Sequence, residues 1–170
     1  MSNNELSNMK RNALMLGLCG EYKKKWDSCA SKKELVDLVL DSNGVEFLAD
    51  AITFGWGCSQ EFLLNEFADF INGKYQRKKD GYTSELYVHH NDMVVLRSTI
   101  TLVVGGEADI VIPDDFIGNL YILCGGSHTI FGSERGEINL YVYGGGCIEK
   151  GRGGSPKINR EDIKASQWRK

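Results

Sequence analysis

Three histidines and five cysteines are the residues of this chain best suited to chemistry, and their spacing limits what they can do. His89-His90-Asn91-Asp92 offers two metal ligands in name, but adjacent residues on a strand point to opposite faces. His128 sits in a comparable corner further on, so a ligand pair would have to form across the fold. The pattern reads more simply as polar loops. Cys19, Cys29, Cys58, Cys124 and Cys147 are odd in number and contain no Cys-x-x-Cys pair. That argues against a disulfide framework and against a four-ligand zinc site. Cys124 and His128, four apart across a Gly-Gly corner, are the nearest approach to a nucleophile with its base. A small buried hydrophobe is the simpler role for that cysteine. Asp109, Asp114, Asp115, Glu134 and Glu137 could line a sugar-cleaving groove. Glycine is abundant, yet neither a phosphate-binding loop nor a dinucleotide fingerprint is present. No catalytic, cofactor-binding or metal-ligating residue is expected, and the chain does not read as an enzyme.

The elements that position these residues change character part-way along the 170 residues. Residues 1–80 carry 11 Lys/Arg and 12 Asp/Glu, residues 81–150 carry 3 and 9, and residues 151–170 carry 6 and 2. The net charges are −1, −6 and +4, which give the overall −3. Apolar periodicity changes at the same boundary, from about 3.6 to 2. An α+β chain follows: a helical head (1–80), a β-rich region (81–150) and a basic C-terminal tail or cap (151–170). In the head, Ser31-Lys-Lys-Glu34 forms a capping box ahead of Leu35, Val36, Leu38, Val39 and Leu40. Gly44 is placed to end that helix. A second helix spans Val45 to Phe54, and Ser59 caps a third through Ile71. An earlier helix is expected from about Leu6 to Trp26.

Residues 81–150 contain a repeat. Glu85-Leu-Tyr-Val88, Thr101-Leu-Val-Val104, Asn119-Leu-Tyr-Ile122 and Asn139-Leu-Tyr-Val142 share one pattern. Each is followed by a polar or Gly-rich corner and a second short aliphatic run. A β-solenoid of about four coils stacks such units into one continuous strip, with Leu86, Leu102, Leu120 and Leu140 expected in a single buried ladder. An antiparallel meander in a small sandwich is the alternative. At about 4.8 Å per coil the stack is short, and both of its ends need covering. The helical head is the expected cap at one end. The segment from Ser155, with Ile158, Ile163 and Trp168, is the expected cap at the other.

The feature left over is a surface. Tyr87, Tyr121 and Tyr141, with Tyr143 nearby, read as an aromatic stripe within an acidic body that also carries Asp114 and Asp115. Tyrosine is a preferred interface residue because it buries a large ring and keeps a hydroxyl to satisfy. The same rings could instead pack against the helices. A protein such as a nuclease with a basic channel, or a nucleoprotein complex with a basic surface, is the partner such a body would suit. Direct nucleic-acid contact would fall to the basic tail. No stretch reaches the roughly 18 apolar residues of a spanning helix, and Met1-Ser-Asn-Asn-Glu5 lacks signal-peptide character. A soluble, cytoplasmic-type protein from a reducing compartment is expected.

The run from Lys32 through Asp41-Ser-Asn-Gly44 to Ile52, then Gly55-Trp-Gly57, Phe67-Ala-Asp-Phe-Ile-Asn-Gly-Lys74 and Asp80-Gly-Tyr-Thr-Ser84, carries a resemblance. It resembles uncharacterised proteins encoded in prophages and mobile elements of gut Bacteroidetes, in which a helical head precedes a short β-rich tail. What the resemblance implies is context: expression inside a bacterium, and a binding role such as antagonism of a host defence system, CRISPR–Cas nucleases included. A virion or tail-associated structural module is the alternative, and a small carbohydrate-active enzyme a third reading.

Overall fold

The computed structural model describes residues 20–55, 58–74, 76–79 and 81–163. Cys19, Trp56, Trp168 and the N-terminal part of the helix expected from Leu6 lie outside them. Four helices come first: α1 (Gly20–Ser28), α2 (Lys32–Val39), α3 (Ser42–Phe54) and α4 (Gln60–Glu66). Ser31 caps α2 by accepting from the Glu34 N–H at 3.2 Å, and the Glu34 carboxylate reaches back to the Ala30 N–H at 2.7 Å. Ser59 caps α4 in the same way, accepting from the Phe62 N–H at 3.0 Å. Gly44 does not end α2 as a left-handed residue. It lies in the first turn of α3, where an added Cβ would come within 2.3 Å of the Leu38 carbonyl oxygen. Close passage of two backbones, not positive φ, requires glycine there.

Ten short strands follow, and they are the coils of a β-solenoid. One sheet runs β1 (Arg77–Lys79), β2 (Tyr82–Val88), β4 (Ile100–Val104), β6 (Ile117–Leu123), β8 (Glu137–Tyr143), β10 (Lys157–Ile163). The other runs β3 (Val94–Val95), β5 (Asp109–Ile112), β7 (Ser127–Gly132), β9 (Cys147–Lys150). Every pairing is parallel except β1 with β2. Parallel neighbours joined through a second sheet are what a coiled chain makes and a meander cannot. The last seven strand residues, 157–163, extend the larger sheet beyond β8 instead of standing apart as a tail.

The expected leucine ladder is corrected by the register. Paired residues are 16 apart between β2 and β4, 19 between β4 and β6, and 20 between β6 and β8. The odd step sets Leu102 beside Tyr121 and Thr101 beside Leu120. Because side chains alternate along a strand, Leu86 and Leu102 face outward to the helices, while Leu120 and Leu140 fill the interior of the coil. Val103, Ile110, Leu120, Ile122, Ile130, Ile138, Leu140 and Val142 form that inner core. The outer face of the larger sheet shares a second core with the helices, in which Val36, Leu48, Ile52 and Phe62 meet Leu86, Leu102, Val104 and Leu123. The helices therefore lie on a sheet face, and the short antiparallel β1 occupies the first edge of the stack.

Candidate interaction site

At the end of the larger sheet's strands the chain turns through a left-handed residue in each coil: His89 (φ 51°), Gly105 (φ 61°), Cys124 (φ 61°) and Gly144 (φ 75°). The corner explains most of the residues first considered for chemistry. The His89 ring contacts the Gln60 side-chain oxygen. Burial pushes the Cys124 thiol up, and a hydrogen bond with the Gln60 side chain only partly offsets this. A thiol held in its neutral form beside a carboxamide is a poor nucleophile. His128 is turned into the coil, 2% exposed, with Nδ1 accepting from the Ala108 N–H at 3.1 Å. Its Nε2 has no partner, and burial lowers its pKa. His90 stacks near the Tyr87 ring, with centroids 5.2 Å apart. Among the described residues no three His, Cys, Asp or Glu side chains converge on a metal-sized site.

The tyrosines separate into two groups, for the same reason as the leucines. Tyr87 pairs with Val103 and packs against the inner core, where its hydroxyl donates to Glu85 at 3.2 Å. Burial and the adjacent Glu85 push its pKa up to about 12. It is not part of the stripe. Tyr121, Tyr141 and Tyr143 do lie together on the outer face. Tyr121 stacks on Tyr141 with ring centroids 4.7 Å apart and planes at 22°, and Tyr143 is 6.4 Å from Tyr121. Tyr121 and Tyr143 are only 5% and 4% exposed, covered by the helical layer, whereas Tyr141 stays half-buried at its edge.

What covers and flanks the three rings was not legible as a motif. Helix α3 packs on β6 and β8. Its apolar residues Val45, Leu48, Ala49 and Ile52 follow one stripe, and Glu46, Asp50 and Thr53 follow another, at i, i+4 and i+7. Thr53 reaches the corner after Tyr143, since its methyl lies 3.5 Å from where a Cβ on Gly144 would sit. Asp50 is 2% exposed, and its Oδ1 and the Thr53 hydroxyl have no hydrogen-bond partner. Burial first, and the Glu46 charge second, push the Asp50 carboxyl up to about 7. Asp50 and Glu46 in turn contribute to the raised pKa of Tyr143, and Glu46 to that of Tyr121 and Tyr141, with burial the main cause in each. Glu161 pairs with Tyr141 across the strands and faces the same way. Beside the rings, Asn119, Asn139 and Asn159 form a ladder, with amide-to-oxygen distances of 3.0 and 3.2 Å.

Asp114 and Asp115 lie elsewhere, at an exposed corner between β5 and β6. Arg135 from the next coil sits 2.9 Å from the first and 3.4 Å from the second. Hydrogen bonds from Ser133 and Arg135 hold the Asp114 carboxyl below its usual range. These two carboxylates answer an arginine of their own chain and are not continuous with the tyrosines. The sugar-cleaving arrangement considered above loses two members to the same pairing. No family model, curated protein or solved structure matches the chain. Among the described residues no helix is long and apolar enough to cross a membrane.

Proposed function

We propose that this chain is a non-catalytic binding protein, of the type encoded by phages and mobile elements, that acts inside a bacterium by occluding a basic surface of a host macromolecule. A nuclease of a defence system, CRISPR–Cas included, has such a surface. The observation that carries the reading is the tyrosine group on the outer sheet face, in which Tyr141 stays partly exposed and is paired with the exposed Glu161, and the exposed Glu46 of α3 is near enough to act on it. A ring that keeps area available beside uncompensated negative charge suits a basic partner. Neither Glu46 nor Glu161 is in an ion pair among the described residues. Residues 81–150 carry a net −6 over the solenoid as a whole.

The test is affinity capture of the full chain from a bacterial lysate, with mass spectrometry, followed by binding kinetics against the captured partner at two salt concentrations. Association should slow with salt, as steering by opposite charge requires. Tyr141→Ala should shorten the lifetime of the complex, and Glu161→Lys should slow its formation. Salt-independent association, or a complex indifferent to both substitutions, would overturn the reading.

A further inference from the structure

We infer that the tyrosine and carboxylate ledge under α3 receives the guanidinium of an arginine side chain presented by the partner. This rests on the reading of that face as the binding surface and adds the chemical group it takes. Helix α3 carries a polar stripe where an ordinary packed helix would bury aliphatics. Asp50 and Thr53 each leave a buried oxygen without a partner. A buried acceptor with no donor is costly to keep, and a donor arriving from outside removes that cost. The surroundings determine which donor fits. Tyr121 and Tyr141 form a stacked pair, and Tyr141, the less buried of the two, keeps part of its surface accessible to a flat cation. Glu161 on β10 is paired with Tyr141, and Glu46 and the buried Asp50 lie on the helix that packs over the same two strands. A guanidinium offers five N–H donors in a plane, so it can stack on a ring while its edge meets carboxylates. An ammonium has three donors and no flat face.

The basic side chains of β10 do not serve this role themselves. Lys157 is bound to Glu137 at 2.7 Å, and Arg160, on the inward-facing side of the strand, is bound to Asp162 at 2.8 Å.

The probes are three capped tripeptides, Gly-Arg-Gly, Gly-Lys-Gly and Gly-citrulline-Gly, titrated into the full chain while the aromatic NMR signals of Tyr141 and Tyr143 are followed. Citrulline keeps the shape of arginine without its charge. The arginine peptide should shift both signals and bind at least about tenfold more tightly than the citrulline peptide, with lysine weaker than arginine. Glu161→Gln and Tyr141→Ala should each weaken the arginine peptide by about tenfold, and Asp50→Asn should weaken it without loss of folded protein. Equal binding of arginine and citrulline, equal binding of arginine and lysine, or indifference to Asp50→Asn would overturn the assignment. If the peptides fail but Tyr141→Ala still releases the captured partner, the guanidinium is wrong and the binding face stands. If the arginine peptide binds as expected but the partner ignores Tyr141→Ala, the pocket stands and the wider functional reading falls.

Discussion

Leu102 is paired with Tyr121, and not with Leu120, in the parallel register of β4 and β6. A single residue of register therefore divides four similar motifs between two cores, one inside the coil and one beneath the helices. Leu102→Ala and Leu120→Ala should each cost about 2–5 kcal/mol, since both side chains are fully buried. Because they line different cores, their costs should come closer to adding in the double variant than those of Leu120→Ala with Leu140→Ala, which share one core. Denaturant unfolding of the three single and two double variants is the measurement.

Asp50 makes stability fall as pH rises from about 4 to about 7. Its folded pKa of about 7 lies above the ordinary 3.8, so the folded state holds a proton that the unfolded chain releases. The contribution is most favourable below about pH 4 and is lost as pH rises towards 7. Asp50→Asn should be close to neutral at pH 4 and should stabilise the chain by about 1–3 kcal/mol at pH 8. Thermal unfolding of both proteins across that range tests it. A variant less stable at pH 8 would show that the carboxylate is compensated in the folded state.

His128 acts in the opposite direction. Its folded pKa lies below the ordinary 6.5, so the unfolded chain binds the proton more readily. Stability from this group is complete above about pH 6.5 and falls as the solution becomes more acidic. His128→Gln should flatten the slope of unfolding free energy between pH 4.5 and 6.5, at some uniform cost in packing. A slope unchanged from the parent would assign the acid sensitivity to other groups.

Gly44→Ala should be strongly destabilising, by about 1–3 kcal/mol, because the new methyl meets the Leu38 carbonyl and not a movable side chain. Gly20, at the start of α1, has nothing within 4 Å of a Cβ. There the same substitution should be neutral or slightly stabilising through helix propensity alone. Circular dichroism melts of the two variants side by side make the comparison.

Local chemistry was readable from the sequence, and relations between elements only partly. Ser31 with Glu34, and Ser59, announced their helices because a cap is settled within four residues. The repeat pointed to stacked coils over a meander, since two aliphatic runs per unit, separated by a polar or Gly-rich corner, recur four times. The face of each leucine did not follow, because Leu-Tyr aligns with Leu-Val by likeness while the chain aligns by backbone length. Tyr121, Tyr141 and Tyr143 share one face as the stripe required, with Tyr121 and Tyr143 packed under the helices as in the alternative reading, while the same slip turns Tyr87 inward. Asp50 and Glu161 gave no motif to find, as they reach the rings only when α3 and β10 close on β8. The spacing of Glu46, Asp50 and Thr53 within an otherwise apolar helix was the one available signal.

The two ends of the solenoid are unlike. β1 runs against its neighbour and offers three residues, whereas β10 runs with its neighbour and, among the described residues, leaves a seven-residue edge without a counterpart in the smaller sheet. A strand that continues the coils must run the same way as the strand it joins. The antiparallel β1 breaks that sense at the leading edge of the larger sheet, so only β10 presents an edge strand running with the coils.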